Sequence, residues 1–120
     1  MSLTIFHNPG CSTSREALAL LKARGRSPKV VEYLKTPPSA AELAGVLAKM
    51  GAEPDAILRR KGAPEEALAA WEKAMTDKAK LAALSAHPIL IERPIVIAGA
   101  RAALIRPKAE AAAILDRIGA

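Results

Sequence analysis

The chain has 120 residues, 51% of them hydrophobic and 25% charged, a balance that suits one globular domain with a single sizeable core. Its net charge of +6 favours anionic partners, yet the Lys and Arg residues are dispersed and there is only one Trp, one Tyr and one Phe, which argues against a nucleic-acid-binding surface. One cysteine excludes an internal disulfide and a cysteine-based zinc cluster, two histidines argue against a metal site, and no apolar run approaches a membrane span.

Leu3-Thr4-Ile5-Phe6 opens the chain as a short, partly β-branched strand. No secretory leader precedes it, so a cytoplasmic location with a reduced thiol is expected. Asn8-Pro9-Gly10 has turn chemistry, and Arg15-Glu16-Ala17-Leu18-Ala19-Leu20-Leu21-Lys22 reads as a helix. Thr13 and Glu16 have capping-box spacing, which would start that helix just after Cys11. Gly25 and Pro28 mark a turn, and Lys29-Val30-Val31-Glu32-Tyr33-Leu34 reads as a second strand, parallel to the first through the crossover helix.

Thr36-Pro37-Pro38 breaks the chain. Ser39 and Glu42 repeat the capping-box spacing and open a helix that runs to position 49 or 50 and ends at Gly51. Only helical signals follow: a short helix over 55–61, another over 64–74 with Pro64 in its first turn, and a third from Thr76-Asp77 with Leu81 and Leu84 on its apolar face. This block, about 39–87, is expected as a helical insertion between two parts of one sheet. Ile95-Val96-Ile97 is the third strand, Ala98-Gly99-Ala100 a turn, and Ala102-Ala103-Leu104-Ile105 an antiparallel fourth. Arg106-Pro107 stops it, and 108–118 reads as the last helix.

Cys11 lies in a strand-to-helix turn, at the positive end of a helix dipole. The thiolate is the reactive form of cysteine, and helix N-termini and cationic neighbours lower its pKa. His7, Ser14 and Arg15 are candidate tuning groups, and unpaired N–H groups at the helix start can hold an oxyanion beside the sulfur. A lone cysteine is more often a small buried hydrophobe. The surrounding His, Asn, Pro, hydroxyls and Arg favour a reactive thiol acting on something anionic.

Strand, helix, strand, helical insert, strand, strand, helix is the thioredoxin-like layout: an α/β fold with a mixed sheet of about four strands and flanking helices. That layout commonly places a cis proline at the start of the third strand, facing the cysteine; Pro94 is the candidate. The segments His7-Asn8-Pro9-Gly10-Cys11-Ser12-Thr13-Ser14-Arg15, Tyr33-Leu34-Lys35-Thr36-Pro37-Pro38, Leu58-Arg59-Arg60, His87-Pro88-Ile89-Leu90-Ile91-Glu92-Arg93-Pro94-Ile95-Val96 and Arg106-Pro107 go further. In order and spacing they resemble the glutaredoxin-coupled arsenate reductases, the ArsC family, over essentially the whole chain.

The resemblance implies reduction of arsenate to arsenite with glutathione and glutaredoxin as partners and no bound cofactor. It implies that Cys11 is the nucleophile that forms a thiol–arsenate adduct, that His7 and Ser14 tune it, and that Arg59, Arg93 and Arg106 bind the oxyanion. Arg59 and Arg60 are adjacent, so an offset of one would exchange them. With no second cysteine, the resolving thiol must come from outside, and glutathione fits. Two other readings stay open: an ArsC-like glutathione-dependent thiol oxidoreductase with another substrate, and a non-catalytic interaction protein like the Spx regulators.

Overall fold

The computed structural model describes residues 2–120. Strand β1 (Leu3–His7) leads into α1 (Ser12–Ala23), and β2 (Lys29–Glu32) follows. The insert contains α2 (Ala40–Met50), a 3-10 turn (Pro54–Ile57), α3 (Glu65–Lys73), α4 (Asp77–Ala86) and a second 3-10 turn (Pro88–Leu90). Strands β3 (Ile95–Ala98) and β4 (Arg101–Leu104) form the closing hairpin, and α5 (Ala111–Ile118) ends the fold. The sheet order is β2-β1-β3-β4. β1 pairs parallel with β2 and antiparallel with β3, and β3 pairs antiparallel with β4. The mixed four-stranded α/β architecture is the one the sequence implies.

Alternation along β1 sends its side chains to two cores. Leu3 and Ile5 join Ala17 and Leu21 of α1 and Ile114, Leu115 and Ile118 of α5. Phe6 faces the other way and joins Leu43, Val46 and Leu47 of α2, Trp71 of α3 and Leu84 of α4. The helical insert therefore covers one sheet face while α1 and α5 cover the other. The carboxyl end of β1, where α1 begins, is left at the rim of the sheet.

Local chemistry sets most of the helix ends. Ser39 and Glu42 form the full reciprocal capping box at the start of α2, and Gly51 ends it in the left-handed region at φ 66°. Thr76 caps α4 by accepting from the Ala79 N–H.

Four expectations are corrected. Thr13 does not cap α1: Cys11 itself occupies the N-cap position, and Glu16 turns outward to pair with Lys108. The helix expected over 55–61 is only the 3-10 turn Pro54–Ile57. Beyond it the chain extends, because Leu58 bridges antiparallel to Ile91 and tertiary pairing overrides the local helical pattern. β2 stops at Glu32, where the N–H groups of Lys35 and Thr36 fold back onto the Glu32 carbonyl. The last helix begins as a 3-10 turn over Lys108–Glu110.

Candidate active site

Cys11 is half-buried at the junction of β1 and α1. The preceding turn is tied internally: the Cys11 N–H donates to the Asn8 carbonyl at 3.0 Å, and the Gly10 N–H donates to Asn8 Oδ1 at 2.9 Å. Arg15 does not reach the thiol. Its Nη1 donates to the Pro9 carbonyl at 2.8 Å, so its work is to brace the loop.

His7 is also one step removed. Its Nδ1 lies 2.7 Å from Ser14 Oγ, and the same hydroxyl accepts from the Asn8 N–H at 3.0 Å. A hydroxyl that accepts from Asn8 still has its own proton to give to Nδ1, an arrangement that fits a neutral ring protonated on Nε2. Burial pushes His7 below its ordinary pKa; Glu32 opposes this, while Lys22 and Arg15 reinforce it. A neutral histidine supplies no positive charge to the sulfur. Its place is to lock Ser14, which is fully buried, and with it the first turn of α1.

The charge at the thiol comes from the far end of the chain. Arg106 Nη2 donates to Cys11 Sγ at 3.6 Å. The Arg93 guanidinium bears on the same sulfur. Burial is the largest single influence on Cys11 and opposes ionisation. The Ser14 N–H, the Arg93 guanidinium and the Thr13 N–H together outweigh it, so the thiol titrates below its ordinary value.

Glu92 joins the arginines. Its Oε1 accepts from Arg59 Nη1 at 2.9 Å and lies 3.3 Å from Arg106 Nε. Arg106 Nε also donates to the Arg93 carbonyl at 2.6 Å. Arg59 arrives through the backbone pairing that replaced the expected helix: its N–H donates to the Leu90 carbonyl, and the Glu92 N–H donates to Ile57, each at 2.7 Å. Arg60 points away and pairs with Glu72 on the surface at 2.7 Å. Of the two adjacent arginines, Arg59 is the one joined to Glu92 beside the Cys11 turn.

The Arg93–Pro94 peptide is cis, and so is Arg106–Pro107. The structure thus gathers Cys11, Arg93 and Arg106 directly, and Arg59 through Glu92. It sets His7, Arg15 and the Ser14 hydroxyl behind them.

Tyr33 is a neighbour that the sequence reading passed over. Its ring is fully buried, and its hydroxyl makes no hydrogen bond among the described residues. Burial raises its pKa, with nearby Arg93 opposing, so the phenol keeps its proton. The signal for it was its position just past β2, on the same sheet end as the Cys11 turn. The Nε of Arg93 is likewise buried without a partner. Among the described residues, no group of His, Cys, Asp and Glu could hold a metal ion, and no helix is long and apolar enough to cross a membrane. A cleft of about 690 Å³ lies between β2 and α2, on the sheet face that carries Thr4 and Phe6, and its lining does not include Cys11. A small anion needs converging charge rather than that volume.

A thiol with a lowered pKa, at the start of the first helix and beside the guanidiniums of Arg93 and Arg106, sits in a thioredoxin-like α/β fold. The ArsC family model matches residues 6–114. An arsenate reductase of Rhizobium meliloti is 45% identical over 107 residues, covering 89% of this chain and 76% of that protein. One from Neisseria meningitidis is 42% identical, covering 94% of this chain and 97% of its own. The solved structure of an arsenate reductase from Vibrio cholerae superposes with a TM-score of 0.83 at 42% identity, covering 96% of this chain and 98% of that one. This chain belongs to the ArsC family.

Proposed function

We propose that this protein reduces arsenate to arsenite, with Cys11 as nucleophile, Arg59, Arg93 and Arg106 as the oxyanion cradle, and glutathione and glutaredoxin as thiol donors. The observation that carries this reading is Arg106 Nη2 at 3.6 Å from Cys11 Sγ, with Arg93 bearing on the same atom. Guanidiniums placed there serve two ends. They favour the thiolate, and they neutralise an oxyanion that the thiolate would otherwise repel.

The chemistry follows from one available cysteine. The Cys11 thiolate attacks arsenic, an S–As bond forms, and one arsenate oxygen leaves as water; arsenic stays pentavalent. A glutathione thiolate then attacks the Cys11 sulfur. An S–S bond forms, the S–As electron pair passes to arsenic, and arsenite leaves as As(III). Glutaredoxin takes the glutathionyl group and returns Cys11 as thiolate. Supply of reduced glutathione sets this cycle in a reducing compartment such as the cytoplasm.

The test is arsenite formation by purified protein with arsenate, glutathione and glutaredoxin. The native protein is expected to form arsenite, and Cys11→Ser is expected to form none above background. A native protein equally silent on arsenate, yet active in deglutathionylating proteins, would replace this reading with the general thiol oxidoreductase.

A further inference from the structure

We propose that Glu92 is the positioning residue of the oxyanion cradle, holding the arginines in place around the thiol before any ligand arrives. The proposal rests on the functional reading above and assigns a residue that reading does not use. One carboxylate oxygen touches the guanidiniums of two cradle arginines and the backbone N–H of the third. Glu92 Oε1 accepts from Arg59 Nη1 at 2.9 Å and from the Arg93 backbone N–H at 3.2 Å, and it lies 3.3 Å from Arg106 Nε. The pair is well shielded, with Arg59 and Glu92 side chains 16% and 19% exposed.

The geometry separates holding from working. Arg106 is gripped at Nε, by Glu92 and by the Arg93 carbonyl, and its opposite end delivers Nη2 to Cys11 Sγ. Arg59 gives Nη1 to Glu92, and its side chain makes no other hydrogen bond among the described residues. A guanidinium has five donors in a rigid fork, so fixing one edge aims the other. Three guanidiniums converging without a counter-charge repel one another and swing toward water. An internal carboxylate on the rear edges of Arg59 and Arg106, tied also to the Arg93 backbone, opposes that and lowers the ordering entropy left to binding.

A carboxylate here could instead act only through its field. It would then disfavour the thiolate and repel an incoming oxyanion. The two readings predict opposite signs when Glu92 is removed. If Glu92 positions the arginines, Glu92→Ala loosens Arg106, and Cys11 titrates about one pH unit higher. KM for arsenate then rises about tenfold, the scale of one lost charge-assisted hydrogen bond, with a smaller change in kcat. Glu92→Gln keeps an acceptor oxygen at the same reach, so it restores KM toward the native value and titrates at or below native Cys11.

The thiolate absorbance of Cys11 against pH gives the first readout, and steady-state kinetics with arsenate the second. Should Glu92→Ala not fold, Glu92→Met, of equal length without an acceptor, carries the same expectation. If the acceptor-free variant and Glu92→Gln both lower the titration to the same extent, or leave it native, the proposal is overturned. The titration needs no arsenate. A native protein inactive on arsenate but showing this Glu92 pattern overturns the arsenate reading alone, whereas an active one lacking the pattern overturns only the role of Glu92.

Discussion

What surrounds Cys11 favours its ionisation, since burial alone would keep it protonated. The α1 N–H groups and Arg93 reverse that tendency, so its folded pKa lies below the unfolded one. Between those two values the unfolded chain holds more protons, and folding stability therefore rises with pH across that window. Below the folded pKa both states are protonated and the contribution vanishes. Denaturation midpoints measured through this range should climb in the native protein and stay flat in Cys11→Ser. Alkylation of the native thiol should likewise reach half its maximal rate at a lower pH than free cysteine does.

The arginines can be told apart by substitution. Arg93→Ala and Arg106→Ala each remove a donor preorganised at the thiol, and kcat/KM for arsenate should fall about 100-fold or more. Arg60→Ala removes only an exposed pair with Glu72, and activity should stay within about twofold of native. Loss of activity in Arg60→Ala comparable to that in Arg93→Ala would undo the assignment of Arg59.

Secondary-structure elements deliver these side chains with different degrees of local autonomy. α1 is started by Cys11 itself, so the helix whose first N–H groups lower the thiol pKa has no separate side-chain cap. α2 is capped in full by Ser39 and Glu42. Ser39→Ala should destabilise the protein by about 1 kcal/mol, lowering the thermal midpoint by about 4 °C. Because α2 packs on the face opposite α1, arsenate kinetics at temperatures well below unfolding should not change. The 58–59 segment behaves in the other way. It has little local reason to be extended, and the paired strand-like segment around Ile91 imposes that conformation.

The molecule as a whole is a four-stranded sheet with a core on each face, and the site occupies the rim where both meet. Ile5 and Leu84 represent the two cores, each fully buried. Ile5→Ala and Leu84→Ala should each cost about 2–5 kcal/mol in urea denaturation, the usual range for such cavities. The effects should add, because the residues lie in separate clusters on opposite sides of the sheet. A marked departure from additivity would mean that the sheet transmits strain between its faces.

Much of this architecture was written locally. The apolar alternation of β1, the turn at Asn8-Pro9-Gly10, the Ser39 capping box and the lone cysteine at a helix start all depend on neighbours a few residues away. Such patterns specify backbone conformation directly, so the order of strands and helices and the strand-to-helix turn that holds Cys11 were legible from the chain alone. The misreadings came where a distant partner overrode a local preference. Thr13 lost the cap to Cys11, and a helical stretch after Pro54 became a bridge to Ile91.

The relations among charges could be decided only in three dimensions. Arg59 meets Glu92 across 33 positions, and Arg106 meets Cys11 across 95. No spacing rule reaches that far. His7 adjoins the turn in sequence, yet it turns to Ser14 and stays neutral because burial disfavours its charge. Electrostatic energy depends on distance through space and on access to water, and both are properties of the folded chain.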